Sequence, residues 1–379
     1  MNFTFDETQL MIQQTARDFA ETELRPNAAE RDEKEEFPYD AVKKMGELGF
    51  MGMKVAEKYG GAGLDTISYV LAMEEISKVD ASAGVIMSVN NSLVCYGLEK
   101  WGNEEQKQKY LVPLAQGKKL GAFALSEPEA GSDATNQMTT AVREGDHYIL
   151  NGTKNFITNG KNADVVLVMA QTDKTKGPKG ISTFIVEKDY PGFSVAKKER
   201  KLGIRSSDTV SLSFTDCKVP VENRIGEEGF GFKFAMKTLD GGRVGIASQA
   251  MGIAMAALEE SIKYAKQRRS FGKYLAEHQA IQFKIADMQT KIDAAQMLVL
   301  HTASTDTDDP SFSTRAAEAK LFASKIAVEC ALEAIQIHGG YGYCKDYPVE
   351  RLLRDSKITE IYEGTSEVQR IVISRAILK

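Results

Sequence analysis

Ile361-Tyr362-Glu363-Gly364-Thr365-Ser366-Glu367-Val368-Gln369-Arg370 joins a lone carboxylate to a glycine and then to a helix start. Ser366 and Gln369 have the spacing of a capping box, which predicts a helix from Val368 to Leu378. Glu363 then sits on the turn before that helix, beside its positive end. The residues alone leave two readings open. The acid either complements the helix dipole or serves as a general base, with Gly364 letting a substrate approach the backbone closely.

Outward from this stretch, the preceding chain reads as long helices: Phe232–Gln267, Glu277–Thr305 and Ser311–His338, the last stopped by Gly339-Gly340. Together they make an α-helical bundle over 231–379. Between Lys118 and about residue 230 the character differs. Leu120–Leu125, Met138–Arg143, His147–Asn151, Asp164–Ala170, Thr183–Glu187 and Val210–Phe214 are short β-leaning runs separated by Gly, Asn, Asp and Pro. They predict an antiparallel β-domain over 118–230.

Residues 1–117 read as helices again. These are Thr8–Ala29, Ala41–Leu48, Thr66–Lys78, Ala83–Lys100 and Glu104–Gln116, with charged Glu30–Glu36 as a loop. Tyr59-Gly60-Gly61-Ala62-Gly63 lacks a preceding strand and the dinucleotide-binding spacing, so it reads as a turn. The fold class is therefore α+β, a helical domain, an antiparallel β-domain and a helical bundle. That order is not the alternation a parallel nucleotide-binding sheet needs.

Bulk properties narrow the function classes. A net charge of −5 and a pI near 5.7 disfavour a nucleic-acid or anionic-membrane binder. Cys95, Cys217, Cys330 and Cys344 are scattered, with no Cys-x-x-Cys pair and no clustering with histidine. Neither a metal site nor a disulfide framework is expected. Met1–Leu10 carries Asp6 and Glu7 and lacks the marks of a signal peptide or presequence, and no apolar run has membrane-spanning length. A soluble, cytoplasmic protein is expected.

Four further stretches bear polar groups where chemistry could occur. Phe123-Ala124-Leu125-Ser126-Glu127-Pro128-Glu129-Ala130-Gly131-Ser132-Asp133 runs a strand into a turn rich in hydroxyls, which is either a tight turn or a cradle for a polar heterocycle. Asn155-Phe156-Ile157-Thr158-Asn159-Gly160 is a strand end led by an aromatic. Leu239-Asp240-Gly241-Gly242-Arg243 places two glycines inside a helix, where each costs about 1 kcal/mol relative to alanine. Close packing or a ligand groove would compensate. Gln267-Arg268-Arg269-Ser270-Phe271-Gly272, with Gln279 and Gln336-Ile337-His338-Gly339-Gly340, offers the forked donors suited to a pyrophosphate; the same arginines could instead complement a helix end.

These stretches together resemble the acyl-CoA dehydrogenases, over essentially the whole chain. The resemblance implies the three-domain fold of that family and FAD as cofactor. It makes Glu363 the base that takes the α-proton of an acyl-CoA thioester, with the N–H of Glu363 stabilising the thioester oxygen. It assigns Phe123, Ala124, Leu125, Ser126, Gly131 and Ser132 to the flavin, with Ser132 also reaching the CoA part of the substrate. Phe156, Ile157 and Thr158 would cover one flavin face; many relatives carry Trp where this chain has Phe156. Arg268, Ser270, Phe271 and Gln279 would hold the FAD diphosphate and adenosine region. Gln336, Ile337, Gly339 and Gly340 would reach the flavin of a neighbouring subunit, and Thr365 and Glu367 would touch the cofactor. Asp240, Arg243 and Gly364 fall to the substrate.

Some branched-chain and long-chain relatives carry their base where Gly242 stands, so its absence here points to Glu363 and a straight short chain. The implied partners are an acyl-CoA, an electron-transferring flavoprotein and further copies of this chain in a homotetramer. An acyl-CoA oxidase and a non-catalytic acyl-CoA or flavin scaffold are the rival readings.

Overall fold

The computed structural model describes residues 4–379, so the first three residues of the Met1–Leu10 stretch lie outside it. Among the described residues the chain forms helices, then an eight-stranded sheet, then helices.

The first helical part comprises α1 (Glu7–Phe19), α2 (Ala28–Lys34), α3 (Tyr39–Glu47), α4 (Thr66–Val79), α5 (Ala81–Ser88), α6 (Tyr96–Trp101), α7 (Glu104–Gln106) and α8 (Val112–Ala115). Short polar side chains start several of these helices. Asp6 and Gln9 form a reciprocal capping box on α1, Asp65 caps α4 and Asp80 caps α5. A wider π-turn at Val89–Cys95 carries α5 into α6 without a break.

The single expected helix Thr8–Ala29 is divided. Pro26 sits in a 3₁₀ turn, Arg25–Asn27, because it has no N–H to continue the ladder. The helix then restarts and runs to Lys34, through residues expected to form a loop. Tertiary partners explain this. Arg31 pairs with Asp80 at 3.0 Å and Asp32 with Arg354 at 2.8 Å, so charges that looked solvated are docked.

The sheet contains β1 (Gly121–Ala124), β2 (Thr140–Glu144), β3 (His147–Thr158), β4 (Val165–Gln171), β5 (Ile181–Glu187), β6 (Phe193–Lys198), β7 (Thr209–Pro220) and β8 (Arg224–Ile225). Its order is β6-β7-β3-β2-β4-β5-β8, with β1 on β4. It is not wholly antiparallel as expected. β1 runs parallel to β4, in register from Gly121↔Val165 to Ala124↔Val168, and β2 meets β4 in parallel at Thr140↔Gln171. The side chains explain why β4 sits deep in the sheet. Val165, Leu167 and Met169 face the helices while Val166, Val168 and Ala170 enter the core of the β-domain, so both faces are covered. The edge strand β6 was not foreseen. It is mostly exposed and shows no apolar alternation.

The last part comprises α9 (Gly231–Gln267), the small hairpin β9 (Arg269–Ser270) and β10 (Lys273–Tyr274), then α10 (Gln279–Ala303), α11 (Phe312–His338), α12 (Val349–Ile358) and α13 (Ser366–Ile377). α9 is the axle, about 55 Å long at 1.5 Å per residue. Its Phe234, Val244, Ala247 and Met251 share one apolar cluster with Val94 and Leu98, Leu167 and Ile185, and Ala323 and Ala327. All three parts thus bury surface against the same helix. No helix among the described residues is long and apolar enough to cross a membrane.

Small residues on α9 permit this closeness. A Cβ on Gly252 would stand 2.5 Å from the Glu74 carbonyl oxygen and 3.0 Å from the Lys78 backbone nitrogen, atoms that cannot swing aside. Helix propensity alone predicts that Gly252→Ala stabilises by about 1 kcal/mol. The packing predicts the reverse, a loss of about 1–3 kcal/mol from overpacking. Thermal denaturation of the variant should show a lower Tm; an unchanged or higher Tm would contradict the tight α4–α9 contact.

Candidate active site

Glu363 lies on the turn between α12 and α13. The cap of α13 is Thr365, whose hydroxyl accepts from the Val368 N–H at 3.3 Å, one residue earlier than the expected Ser366. Gln369 does not reach back to the cap. Its Nε2 instead donates to the carbonyl oxygens of Gly364, at 2.7 Å, and Glu363, at 3.2 Å. Those bonds hold two successive left-handed residues, Glu363 at φ 54° and Gly364 at φ 94°. For a glutamate such a backbone costs of order 1–3 kcal/mol, and it persists only where the surroundings enforce it. Tyr362, the preceding residue, is tied to α9 by a hydrogen bond from its hydroxyl to Gln249 Oε1, and Gln249 Nε2 donates onward to the Ala81 carbonyl at 2.7 Å.

The strained turn drives the Glu363 side chain against α9. A Cβ on Gly242 would stand 2.0 Å from Glu363 Oε2 and 2.7 Å from Leu93 Cδ2. Only glycine leaves room for the carboxylate there. Glu363 as a residue is half-buried, yet Oε2 is closed off from solvent and has no hydrogen-bond partner. Burial pushes its pKa up to about 7, against the pull of Lys320 and Arg243. Burial against Gly242 thus sets the carboxylate's protonation equilibrium in the physiological range.

Arg243 and Asp240 are buried one turn apart on α9 and pair at 2.7 Å, with Ser313 Oγ also donating to Asp240 at 2.9 Å. Arg243 Nε has no partner. Tyr69, fully buried, carries its hydroxyl 2.9 Å from Ser92 Oγ and would meet a Cβ on Gly245 at 2.8 Å. Glu363, Gly364, Gly242, Asp240 and Arg243 are therefore gathered at one place, as the sequence suggested. Lys320 was missed. Its only signal was a lysine in register with Ala316, Ala323 and Ala327 on the buried stripe of α11.

The second group is built on the sheet. Phe123 and Ala124 are buried at the end of β1, Leu125 and Ser126 are half-buried, and Gly131 and Ser132 are exposed. The Asn155 N–H donates to the Ser126 carbonyl at 2.9 Å, which brings the 126–132 turn beside Phe156. Phe156 is 65% exposed and left-handed, at φ 59°, in an irregular part of β3. An exposed aromatic held in a strained backbone, next to the open space at Gly131 and the hydroxyls of Ser126 and Thr158, fits a planar heterocycle such as a flavin. The Ile157 side chain points into the β-domain core, so only its backbone is available to a ligand.

Beneath this turn lies a buried ion pair that sequence reasoning also missed. Lys154 Nζ meets Glu127 Oε1 at 2.6 Å, Leu125 O at 3.1 Å and Gln137 Oε1 at 3.2 Å. The same carboxylate accepts from the Met138 and Thr139 N–H groups.

The third group stands apart. Arg268 follows Arg243 by 25 residues, about 37 Å along the α9 axis. Arg268, Phe271 and Gln279 are exposed and Ser270 is half-buried. The Arg268 guanidinium lies 5.5 Å from the Tyr341 ring centroid, which joins the hairpin to the segment after α11. There Gln336, Gly339 and Gly340 are exposed, while Ile337 is buried in the bundle. Thr365 is half-buried as the cap and Glu367 is exposed.

Comparison with known proteins assigns the architecture. Residues 6–118, 122–217 and 229–378 match, in turn, the N-terminal, middle and C-terminal domains of acyl-CoA dehydrogenase. The chain belongs to the acyl-CoA dehydrogenase family. It is 53% identical over 379 residues, the full length of both chains, to the short-chain specific acyl-CoA dehydrogenase of Clostridium acetobutylicum. Butyryl-CoA dehydrogenase from Megasphaera elsdenii is 49% identical with a TM-score of 0.98, covering all of both chains. A chain in a structure of the electron transferring flavoprotein of Acidaminococcus fermentans is 53% identical with a TM-score of 0.99, again over all of both chains. Acyl-CoA dehydrogenases are FAD-dependent, and the exposed Phe156 and the open turn at Gly131 suit that cofactor.

Two measurements check this geometry. Glu363 has a higher pKa folded than unfolded, so the native state holds its proton longer and loses stability as pH rises from the unfolded value near 4 to about 7. Glu363→Gln should therefore gain Tm over the parent above pH 7 and gain little at or below about pH 4. Removing one partner of the Lys154–Glu127 pair leaves a buried charge unpaired, at a cost of about 3–5 kcal/mol. Lys154→Met should show this as a lower Tm and as flavin lost on gel filtration, with Glu127→Gln on the same chain restoring part of both.

Proposed function

We propose that this chain carries out α,β-dehydrogenation of a short-chain acyl-CoA thioester to the trans-2-enoyl-CoA, with Glu363 as the base. The observation that carries this reading is the buried, partnerless Oε2 of Glu363 lodged against Gly242, with a pKa of about 7. An α-proton of a thioester is weakly acidic. A base poised near neutrality is half ionised at the working pH yet holds its proton well once it has taken it.

The Glu363 backbone N–H lies on the same turn as Gly364, where a donor to the thioester oxygen would stabilise the enolate as it forms. One such donor contributes about 3 kcal/mol in comparable sites. When bound, FAD supplies the acceptor for the hydride that leaves the β-carbon. Ser126, Ser132, Phe156 and Thr158 and the backbone of Leu125 and Ile157 would hold the flavin, while Asp240 and Arg243 would fix the substrate from α9. Closure of the site around the thioester excludes water from the carboxylate and raises its basicity further.

Short-chain preference is supported by the Clostridium acetobutylicum and Megasphaera elsdenii relatives. Similarity to the Acidaminococcus fermentans chain supports an electron-transferring flavoprotein as electron partner. A homotetramer fits the third group of residues. Arg268, Ser270, Phe271 and Gln279 lie at the far end of α9 from Glu363, so they serve a cofactor whose flavin sits at another chain's base. Phe271, 93% exposed, and Tyr343, 88% exposed, mark the apolar surface that such an assembly would cover. We place the three domains at 1–117, 118–230 and 231–379. Four free cysteines, three of them buried, support a reducing compartment and hence the cytoplasm.

Anaerobic titration of the purified flavoprotein with butyryl-CoA should bleach the flavin absorbance. Glu363→Gln should bleach about 10²–10⁴-fold more slowly while retaining FAD. The parent rate should rise with pH through about 7 as Glu363 ionises. A variant that bleaches as fast as the parent would remove Glu363 from the reaction. Rapid oxygen uptake without an added acceptor would instead indicate an oxidase.

A further inference from the structure

Lys320 is among the largest fully buried side chains of the molecule. Its Nζ donates to the Gly364 carbonyl at 2.8 Å, and among the described residues it makes no ion pair. The same carbonyl accepts from Gln369 Nε2 at 2.7 Å, so both of its lone pairs are engaged. A neutral donor from α11 would satisfy that carbonyl as well as an ammonium does, since Gln369 already supplies one. Burying a cation is costly unless an opposite charge compensates it.

The charged groups around it identify that opposite charge. Glu363, Arg243, Glu360 and Glu367 all act on Lys320. Glu360 and Glu367 flank the turn from α12 and α13, and Glu367 is exposed and already faces Arg370. Glu360 pairs with Lys357 at 2.6 Å. From α9, Arg243 is paired with Asp240. Glu363 alone is a buried carboxylate without a partner of its own. Tyr362 and Tyr69, the remaining titratable groups beside it, stay neutral because burial raises both.

We propose that Lys320 is the positioning residue of the Glu363 base: it clamps the left-handed Glu363–Gly364 turn through the Gly364 carbonyl and supplies the counter-charge that keeps the carboxylate ionised in the closed site. The reading of Glu363 as the base is assumed. When the carboxylate takes the α-proton, its attraction to Lys320 is lost, so the buried cation opposes protonation and balances the upward drive of burial. Burial pulls the Lys320 ammonium down to about 7, opposed by Glu363, so the two groups titrate in the same range.

A stability cycle at pH 7, where both groups titrate, on the FAD-loaded protein tests this without relying on catalysis. Lys320→Met, Glu363→Gln and the double variant are compared by thermal denaturation. Lys320→Met should lower Tm sharply in the parent and clearly less in the Glu363→Gln background. A Lys320→Met chain that folds only in that background supports the same coupling. Equal losses in both backgrounds, or failure to fold in both, would overturn the proposal and leave Lys320 a structural donor.

The second readout is the pH profile of flavin bleaching by butyryl-CoA. The acid limb should move up by about one pH unit or more in Lys320→Met. Gln369→Leu, which removes a donor to the same carbonyl but no charge, should slow bleaching and leave the limb in place. A Lys320→Met limb that coincides with the parent's would overturn the charge role. If Glu363 is not the base, no limb will follow its ionisation, yet the stability cycle still reports the coupling.

Discussion

A carboxylate oxygen occupies the space that a side chain would fill at Gly242, and the rest of the site depends on that contact. Glu363 Oε2 and a Cβ on Gly242 would be 2.0 Å apart, so any other residue at position 242 displaces the acid. The requirement runs in both directions. The carboxylate needs a gap in the helix surface, and the gap exposes helix backbone that something must cover. A long helix can carry such a gap only when neighbours supply the stability that glycine does not. α9 obtains it by being buried along much of its length against α4, α5, the sheet and α11.

That burial also explains why Glu363 approaches from a strained turn rather than from a regular helix. A side chain on α12 or α13 would point along its own helix surface and meet α9 only at ordinary side-chain distance. The left-handed Glu363–Gly364 pair turns the carboxylate inward, toward the helix gap. The turn is held from three sides: Gln369 and Lys320 on its carbonyls, Thr365 capping the helix that follows, and Tyr362 tied to Gln249 before it. Each tie uses a polar group that would otherwise be costly to bury. A rigid support for one carboxylate oxygen accounts for why so many polar side chains collect in an otherwise apolar bundle.

Much of this was legible in the residues. Apolar periodicity located the long helices to within a few positions, and the Gly, Asn and Asp punctuation located most of the strands. What escaped was decided by distant partners. Glu30–Glu36 reads as a loop until Arg31 and Asp32 meet Asp80 and Arg354, roughly 50 and 320 positions further along the chain. β1 reads as one more antiparallel strand, because nothing local says that it enters beside β4 in the same direction. The Ser366–Gln369 spacing satisfied a capping rule, but Thr365 took the cap and Gln369 was used on the turn instead. Lys320 looked like any helical lysine, and only its place on a buried alanine stripe set it apart. Lys154 likewise sat in a strand whose polar partners, Glu127 and Gln137, belong to another loop.

The buried carboxylate and its helix gap conflict with stability, and the direction of that conflict bears on the proposed mechanism. An ionised Glu363 is less comfortable in the folded protein than in water, so the protein holds this carboxylate in an unfavourable state at neutral pH and above. In the proposed reaction, transfer of a substrate proton would relieve that penalty, since the protonated acid suits the buried site. On that proposal, part of the driving force for proton removal is stored in the fold before substrate arrives. Lys320 and Arg243 limit how far this can go, because a carboxyl raised much above 7 would seldom be ionised and could not act as a base at all. The geometry sets the balance between the two, with burial against Gly242 on one hand and positive charge from Arg243 on α9 and Lys320 on α11 on the other.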